Sequence, residues 1–304
     1  MSSSRGDSAV DSQRPTTSVL IRVRGAIPNL RPAERRVAEV VIAAPAHVSE
    51  SSITSIARQC QTSETTVLRF CRAVGLSGYP ELRIALARAA LWEEADRRSS
   101  GPLTGDIGPE DPLDDLVAKV THADARAVED TAAALDLDTL QSAVDVLVKA
   151  SRIDIYGIGA SALVGSDLQQ KLHRLGMVCF VWSEAHLALM SAAMLSTGDA
   201  AIGISHTGTT IDTVDALRVA RNHGARTIAV TNFEGSTIAA ISDLVLLTAA
   251  RETTFRSGSM SSRIAQLALV DCLFSAVAQR SYEQSIESLR STNAVVESRH
   301  ASRV

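Results

Sequence analysis

The alternation of short apolar runs with helical stretches between residues 152 and 280 is the strongest constraint on the fold. Each apolar run has the length of a buried strand, and each is followed by a stretch with helical periodicity. This pattern predicts a five-stranded parallel sheet with helices on both faces. The predicted strands are 153–156, 178–181, 200–204, 227–230 and 244–247, and the predicted helices are 161–175, 185–195, 210–223, 236–241 and 263–279.

The first hundred residues show only helical periodicity. The segment 31–44 is a helix candidate that Pro45 would end. Ser52 and Ser63 are natural N-caps for two short helices, and Gly75 suits the end of the second. Two short helices joined by a tight turn, with a third before them, form a helix-turn-helix unit. The sequence therefore predicts an all-α helix-turn-helix domain followed by an α/β domain.

Composition shifts along the chain place the domain boundaries. We expect a disordered lead at 1–18, a helix-turn-helix domain at 19–98 and a Gly/Pro/Ser-rich linker at 99–112. The α/β domain is predicted at 113–282, with Asp138 capping one of its first helices, and a polar, frayed tail at 283–304.

Composition also excludes several classes of protein. With 45% hydrophobic and 21% charged residues, the 304-residue chain has the content of a soluble globular protein. It shows neither an apolar run long enough to span a membrane nor an N-terminal secretory signal, so we expect a cytoplasmic protein without a membrane partner. The four cysteines lie far apart without metal-ligand spacing, so we expect free thiols and neither a zinc site nor a disulfide framework. No other metal and no cofactor is expected. The net charge of −4 combines a basic front with an acidic remainder, which suggests different partners for the two halves.

Two strand ends combine glycine with hydroxyl groups, in "YGIGAS" (156–161) and "SHTGTT" (205–210). Because ligands bind beyond the carboxyl ends of parallel strands, both stretches are candidates for holding a phosphate through backbone amides, helix N-termini and hydroxyls. Neither stretch is a P-loop, and the first lacks the third glycine of the dinucleotide fingerprint. The alternative is that these residues serve only as turns and helix caps.

From about 130 to 280 the chain resembles a SIS (sugar isomerase) domain. The glycine-containing first turn, the run 205–210, "AVTN" (229–232) and "STIAAISDLVLLT" carry the resemblance, with Thr207 standing where serine is commoner. It implies a phosphosugar ligand. The residues that match the ligand-binding positions are Gly159, Ala160, Ser161, Ser205, His206, Thr207, Gly208 and Thr210.

Isomerases and regulators both carry this domain, so fold alone leaves the activity open. A sugar isomerase needs a positioned base, and the candidates are His206, Glu184, His186 and Glu252. Each is equally explained as a ligand hydrogen-bonder or a solvated side chain. Glu252 is also a candidate ligand-binding residue. A pocket wall, where an arginine could pair with a sugar carboxylate or phosphate, is one expected place for Glu252, Arg256, Ser259, Ser262 and Arg263, and a dimer interface is the alternative.

The front half resembles the helix-turn-helix of the RpiR/MurR regulators. The resembling stretch is 52–83, and the shared features are Ser-x-x-Thr-Val-x-Arg-Phe-Cys, Gly-Leu-Ser-Gly-Tyr and a Glu-Leu-Arg ending. The two resemblances together imply a transcriptional regulator, not an enzyme, that binds double-stranded operator DNA as a homodimer or homotetramer and is gated by a phosphosugar. The alternatives are a SIS-type phosphosugar isomerase and a phosphosugar-responsive module that acts on another protein.

The second helix of the motif carries the candidate DNA contacts. If Val67, Phe70 and Cys71 face the core, helical spacing directs another set of side chains outward, toward base edges and phosphates in a major groove. With the residues that open the helix, that set is Ser63, Glu64, Thr65, Thr66, Arg69 and Arg72. The alternative is an ordinary solvated helix face.

Overall fold

The computed structural model describes residues 19–27, 30–100, 106–252, 255 and 260–297. The predicted N-terminal lead, 1–18, and the candidate residues Arg256 and Ser259 lie outside the described residues. The front of the chain is all helical, as predicted. Its helices are α1 (Val19–Ala26), α2 (Pro32–Ala43), α3 (Pro45–Glu50), α4 (Ile53–Gln59), α5 (Glu64–Ala73) and α6 (Tyr79–Ser100).

The two predicted caps of the helix-turn-helix are confirmed. The Ser52 hydroxyl accepts a hydrogen bond from the amide of Ser55 (3.2 Å) at the start of α4. Ser63 does the same for Thr66 (3.3 Å) at the start of α5. Gly75 follows α5 with a φ of +74°, a left-handed conformation that favours glycine. Serine capping and a terminal glycine thus fix the lengths of both short helices.

The apolar residues of these helices form one core, and Arg36 ties the turn of the motif to it. Val37, Ile56, Val67 and Phe70 are fully buried in that core. The Arg36 guanidinium donates to the carbonyl oxygens of Cys60 (3.0 Å) and Gln61 (3.1 Å), which lie in the turn between α4 and α5. Arg36 is therefore occupied in holding the turn on α2.

Three expectations for the helices were wrong or incomplete. Pro45 does not only end a helix: it begins α3, because proline has no amide hydrogen to satisfy in a first turn. Helix α1 was not predicted. The cap of the helix Leu137–Lys149 is Asp136, whose carboxylate accepts from the amide of Thr139 (2.7 Å), and not Asp138, which lies in the first turn.

The α/β domain contains the predicted five-stranded parallel sheet, in the order β2-β1-β3-β4-β5. Its strands are β1 (Ile153–Gly157), β2 (Cys179–Trp182), β3 (Ala200–Ile204), β4 (Arg226–Thr231) and β5 (Leu244–Leu247). Its helices are α7 (Leu113–Ala134), α8 (Leu137–Lys149), α9 (Ala160–Arg174), α10 (Ala185–Ala192), α11 (Ile211–Asn222), α12 (Thr237–Ala240), α13 (Ser261–Arg280) and α14 (Tyr282–Glu297).

Helix α13 is long and apolar enough, by composition alone, to cross a membrane. Its buried face instead packs on the sheet, where Leu269, Val270 and Leu273 share a core with Ile155 and Ile204. An apolar helix whose face is filled by a sheet is a core helix of a folded domain. It begins beyond the carboxyl edge of the sheet and runs back along it.

The tail predicted to be frayed is helical as far as Glu297. In α14 Ser285 is buried and Leu289 packs against the main core. The guanidinium of Arg174 in α9 donates to Asn293 (2.7 Å). The polar sequence hid this helix because only its inner stripe is apolar.

Candidate ligand site and recognition helix

The loop after β3 folds its hydroxyl groups together at the edge of the sheet. Ser205 is buried, and its oxygen lies 3.0 Å from the hydroxyl of Thr210 and accepts from the amide of Gly208 (3.1 Å). The Thr207 oxygen accepts from both the amide (3.3 Å) and the hydroxyl (3.0 Å) of Thr209. Ser205 and Thr210 thus flank the start of α11, where unpaired backbone amides make a helix end attractive to anions.

Gly208 is required by the geometry of this loop. Its φ is +66°, and a Cβ atom there would lie 2.2 Å from the Ser236 hydroxyl oxygen and 2.9 Å from that of Thr231. The amide of Ile238 in α12 donates to the Gly208 carbonyl (2.9 Å). The missing side chain therefore lets the loop lie directly against the start of α12 and the end of β4.

The loop after β1 offers a second helix N-terminus. Gly159 precedes α9 with a φ of +61°, and Ala160 and Ser161 form the first turn, where Ser161 is half-buried. A Cβ at Gly157 would lie 2.9 Å from the Ser161 carbonyl oxygen, so glycine is needed for the strand to approach the helix this closely.

Sheet topology brings these two loops together. Gly157, at the end of β1, is paired with Ile204, at the end of β3. From this pair the chain continues outward in opposite directions, to β2 on one side and to β4 on the other. Such a reversal of strand order opens a crevice at the carboxyl edge, which is where doubly wound sheets bind ligands. The sequence-predicted residues of both loops meet at this crevice.

His206 and Glu252 lie beside one another near the same edge. The His206 ring packs edge-on against Phe233, with 5.5 Å between ring centroids, and its Nδ1 is buried without a hydrogen-bond partner. Burial lowers the pKa of His206, and the nearby Glu252 charge only partly opposes this, so the imidazole is neutral at pH 7. One Glu252 oxygen accepts from the amide of Ser262 at the start of α13 (2.9 Å), whereas Oε2 is buried without a partner.

Asn232 is a buried residue of this edge whose role sequence reasoning missed. Its Oδ1 accepts from the amide of Ala250 (2.8 Å) and the hydroxyl of Thr248 (3.1 Å), and its backbone amide donates to the carbonyl of His206 (3.0 Å). It therefore joins the loop after β3 to the segment that leads to Glu252. The "AVTN" motif was the available signal, but it did not indicate these partners.

The other two candidate bases are placed differently. Glu184 caps α10: its carboxylate accepts from the amides of Leu187 (2.9 Å) and His186 (3.1 Å), and these bonds lower its pKa. Glu184 and His186 are both exposed. A carboxylate that is held ionised as a helix cap is a poor general base. Within the part of the chain that the structure describes, His, Cys, Asp and Glu form no group of three or more suited to a metal ion.

The structure corrects the predicted outward face of α5 at one position. Thr65, Arg69 and Arg72 are exposed, but Thr66 is buried at 4% exposure. Its hydroxyl lies 3.1 Å from that of Ser63 and accepts from the Arg69 guanidinium (3.2 Å). Because Thr66 precedes Phe70 by four residues, it shares the buried side of the helix. Thr66 therefore supports the helix start and Arg69 and is not available to DNA.

Arg69 and Glu64 are both engaged within the helical domain. Arg69 Nε lies 3.7 Å from Glu34 Oε1, and Glu34 also accepts from the amide of Arg31 at the start of α2 (3.2 Å). Glu64 accepts from the Thr54 hydroxyl of α4 (2.6 Å). Contacts with Thr66 and Glu34 thus fix the orientation of the exposed Arg69 guanidinium.

A helix-turn-helix domain ahead of an α/β domain of this topology defines the class of helix-turn-helix regulators that carry a SIS domain. Residues 146–276 match the protein-family model of the SIS domain, and residues 17–91 match the family model of the rpiR-family helix-turn-helix domain. The chain belongs to the RpiR family of transcriptional regulators.

Relatives match the chain along most of its length. The chain is 35% identical over 283 residues to an HTH-type transcriptional regulator of Caldanaerobacter subterraneus subsp. tengcongensis, covering 93% of this chain and 98% of the relative. It is 30% identical to the HTH-type transcriptional regulator RpiR of Escherichia coli K12, covering 81% of each. Among solved structures, Vibrio vulnificus NanR complexed with ManNAc-6P is similar, with a TM-score of 0.58, 29% identity and coverage of 91% of this chain and 98% of NanR.

Proposed function

We propose that the chain binds operator DNA through α4 and α5 and that a phosphosugar bound in the SIS domain changes its affinity for that DNA. The observation that carries the second part is the meeting of loops 159–161 and 205–210 where the strand order reverses. Each loop leads into a helix N-terminus and contributes hydroxyl groups, which suits a phosphate. The ManNAc-6P bound to the related NanR supports a phosphosugar as the ligand.

For DNA, the proposed contacts are the exposed residues at the start and along the outer side of α5: Ser63, Glu64, Thr65, Arg69 and Arg72. Ser63 and Glu64 set the start of the helix, while Arg69 and Arg72 supply the cationic, hydrogen-bonding groups that read guanine edges or contact phosphates. The chain would act in the cytoplasm, where its operator is.

We also propose that the protein acts as a homodimer or homotetramer on a near-palindromic operator, because a two-fold symmetric regulator presents two recognition helices to successive major grooves. Light scattering coupled to size-exclusion chromatography measures the oligomeric state directly. A monomer at operator-binding concentrations would contradict this proposal.

The effector site is tested by removing two hydroxyl groups, Ser205→Ala together with Thr210→Ala. A hydrogen bond to a charged group contributes about 1.5–3 kcal/mol, so losing two should weaken phosphosugar binding by at least about a hundredfold. The helix-turn-helix is unchanged in this variant, so its affinity for operator without effector should match the wild type. Fluorescence anisotropy of a labelled operator, titrated with the phosphosugar, measures both quantities.

A matched control is the pair Thr121→Ala and Ser142→Ala. These hydroxyls are exposed on α7 and α8 and bond only to carbonyls of their own helices. The control should respond to the phosphosugar as the wild type does. If the Ser205/Thr210 variant also responds at wild-type concentrations, the phosphate site is elsewhere.

The second candidate function is phosphosugar isomerisation. The observation that favours it is the pairing of His206 and Glu252 near the crevice, each with a buried atom free to meet a ligand. The named relatives are regulators, which supports binding without turnover. Conversion of a bound phosphosugar, followed by NMR and abolished in His206→Ala and Glu252→Ala, would establish the enzyme instead.

A further inference from the structure

Unpaired polar atoms collect where the start of α13 faces the end of the sheet. Gln266 and Ser262 are each 1% exposed, and Gln266 Nε2 and Ser262 Oγ have no hydrogen-bond partner. Glu252 Oε2 and His206 Nδ1 are also buried and have no hydrogen-bond partner. Nearly all buried polar groups in folded proteins are paired, so four unpaired atoms in one region indicate a missing partner.

The position of Gln266 follows from the spacing along α13. Leu269 and Val270, three and four residues later, pack in the core beneath the sheet, so Gln266 shares their face. The chain leaves β5 at the carboxyl edge of the sheet and next forms α13, so the start of α13 is its end nearer to that edge. Gln266 lies one turn before Val270, and Ser262 lies one turn before Gln266, so both are displaced toward the carboxyl edge. The Ser262 amide is bonded to Glu252, which interacts electrostatically with His206. Ser262 is thus linked through Glu252 to His206 in the loop after β3, and Gln266 lies one turn from Ser262 on the same face of α13.

These groups match the hydroxyls of a sugar. An amide N–H₂ and a hydroxyl donate, and a carboxylate oxygen accepts, while each sugar hydroxyl does both. A ligand carboxylate at this position would lie against Glu252, and two like charges in a partly buried site repel strongly. Burial lowers the pKa of His206, so none of these four side chains supplies a positive charge against that repulsion.

We infer that Gln266 and Ser262, with Glu252 and His206, bind the hydroxyl groups of an uncharged sugar, so that the effector is a phosphorylated aldose, ketose or N-acyl sugar and not a phosphorylated sugar acid. This rests on the proposed phosphosugar site and adds its specificity. Hydrogen-bonding sites of this kind discriminate strongly, since a ligand without the matching group leaves them unpaired.

The test is calorimetric titration of the full-length protein with five probes: inorganic phosphate, glucose 6-phosphate, fructose 6-phosphate, N-acetylmannosamine 6-phosphate and 6-phosphogluconate. At least one of the three phosphosugars without a carboxylate should bind at least tenfold more tightly than 6-phosphogluconate. Gln266→Leu should weaken that phosphosugar about tenfold, while the affinity for inorganic phosphate stays the same. Binding of 6-phosphogluconate as tight as, or tighter than, that of all three phosphosugars without a carboxylate would overturn the inference.

Two controls on the same helix match the variants. Gln279→Leu and Ser275→Ala alter exposed positions of α13 and should leave every affinity unchanged. Ser262→Ala retains the backbone hydrogen bond to Glu252. If Gln266→Leu lowers the melting temperature of the unliganded protein, the phosphosugar affinity of Ser262→Ala therefore tests the inference in its place. Wild-type affinity for the preferred phosphosugar in Ser262→Ala and in a folded Gln266→Leu refutes the role of α13. Unchanged binding of all probes in Ser205→Ala/Thr210→Ala refutes the phosphate site instead, so the two failures are distinguishable.

Discussion

Asp154 is a fully buried carboxylate near the amino end of β1, and its removal should strongly destabilise the SIS domain. It accepts from Arg152 Nε (2.8 Å), Trp182 Nε1 (2.9 Å), the Ser191 hydroxyl (2.6 Å) and the Tyr156 hydroxyl (3.3 Å). These partners come from β1, β2 and α10, so one side chain joins three elements. Burial is the main cause that raises the pKa of Tyr156, and the Asp154 charge raises it further, which keeps the phenol a donor.

We expect Asp154→Ala to lower the free energy of unfolding by about 3–5 kcal/mol, the cost of breaking a buried ion pair by removing one partner. The loss has two sources: Arg152, which is mostly buried, keeps an unpaired charge, and three donors lose their acceptor. For a domain of this size, about 1 kcal/mol corresponds to 2–4 °C, so the melting temperature should fall by roughly 6–20 °C. Asp154→Asn keeps the shape and one acceptor oxygen, so its loss should be smaller.

Trp182 provides the assay because its indole is itself bonded to Asp154. Urea unfolding followed by tryptophan fluorescence, in a Trp92→Phe background, reports on the α/β domain alone. The matched control is Asp145→Ala, which breaks an exposed pair with Arg280 (2.6 Å) and should cost below about 1 kcal/mol. If the Asp154 and Asp145 variants lose equal stability, the assignment of Asp154 as a structural centre is refuted.

Three further predictions follow from the two sites. Arg69→Ala should weaken operator binding by about 1–3 kcal/mol and reduce the preference for operator over scrambled duplex, measured by fluorescence anisotropy; an unchanged preference would remove Arg69 from sequence reading. Gly208→Ala should abolish the phosphosugar response and lower the melting temperature, because the added Cβ meets Ser236 at 2.2 Å, whereas Gly235→Ala, where a Cβ meets nothing within 4 Å, should do neither. The pKa of His206 is lowered in the folded state, so below the ordinary histidine pKa of about 6.5 the unfolded chain binds more protons than the folded chain. The free energy of unfolding should therefore fall as the pH drops through about 6.5. Urea titrations at about pH 7.5 and 5.5 measure this loss, and His206→Gln should remove the contribution of His206 to it.

Local signals predicted the five strands and most of the helices from the sequence, but not α1, α3 or α14. All five strands were located within two residues because each is a short apolar run between polar turns. Ser52 and Ser63 were identified as caps because a hydroxyl before a helical pattern has few other uses. Pro45 was misread because proline is compatible with both the end of one helix and the start of the next. Where a residue type has two local roles, the sequence does not select between them.

Some residues of the candidate site could also be placed from the sequence, and others could not. The position of Ser205, Thr210 and Ser161 at the carboxyl edge was predictable because they follow strands, and parallel strands end at one edge. Their contact with a phosphate stays a prediction. Gln266 was not predictable, since a lone glutamine in an apolar helix is usually exposed, and only packing on the sheet shows that it is buried. Thr66 was predictable in principle from its distance of four residues to Phe70, but the prediction followed its chemistry instead.

The SIS domain contains two buried polar clusters that differ in how completely their hydrogen bonds are made. This difference is what we expect between a structural centre and a binding site. Around Asp154, at the amino end of β1, the carboxylate is saturated with donors, which fixes the surrounding elements in one arrangement. At the carboxyl edge, Gln266, Ser262, Glu252 and His206 each keep an unpaired atom. Unpaired groups in a low dielectric destabilise the unliganded domain, and a ligand that pairs them recovers this free energy on binding. If a phosphosugar pairs these atoms, it stabilises the liganded state relative to the unliganded one, and this difference in free energy is what a sensor uses.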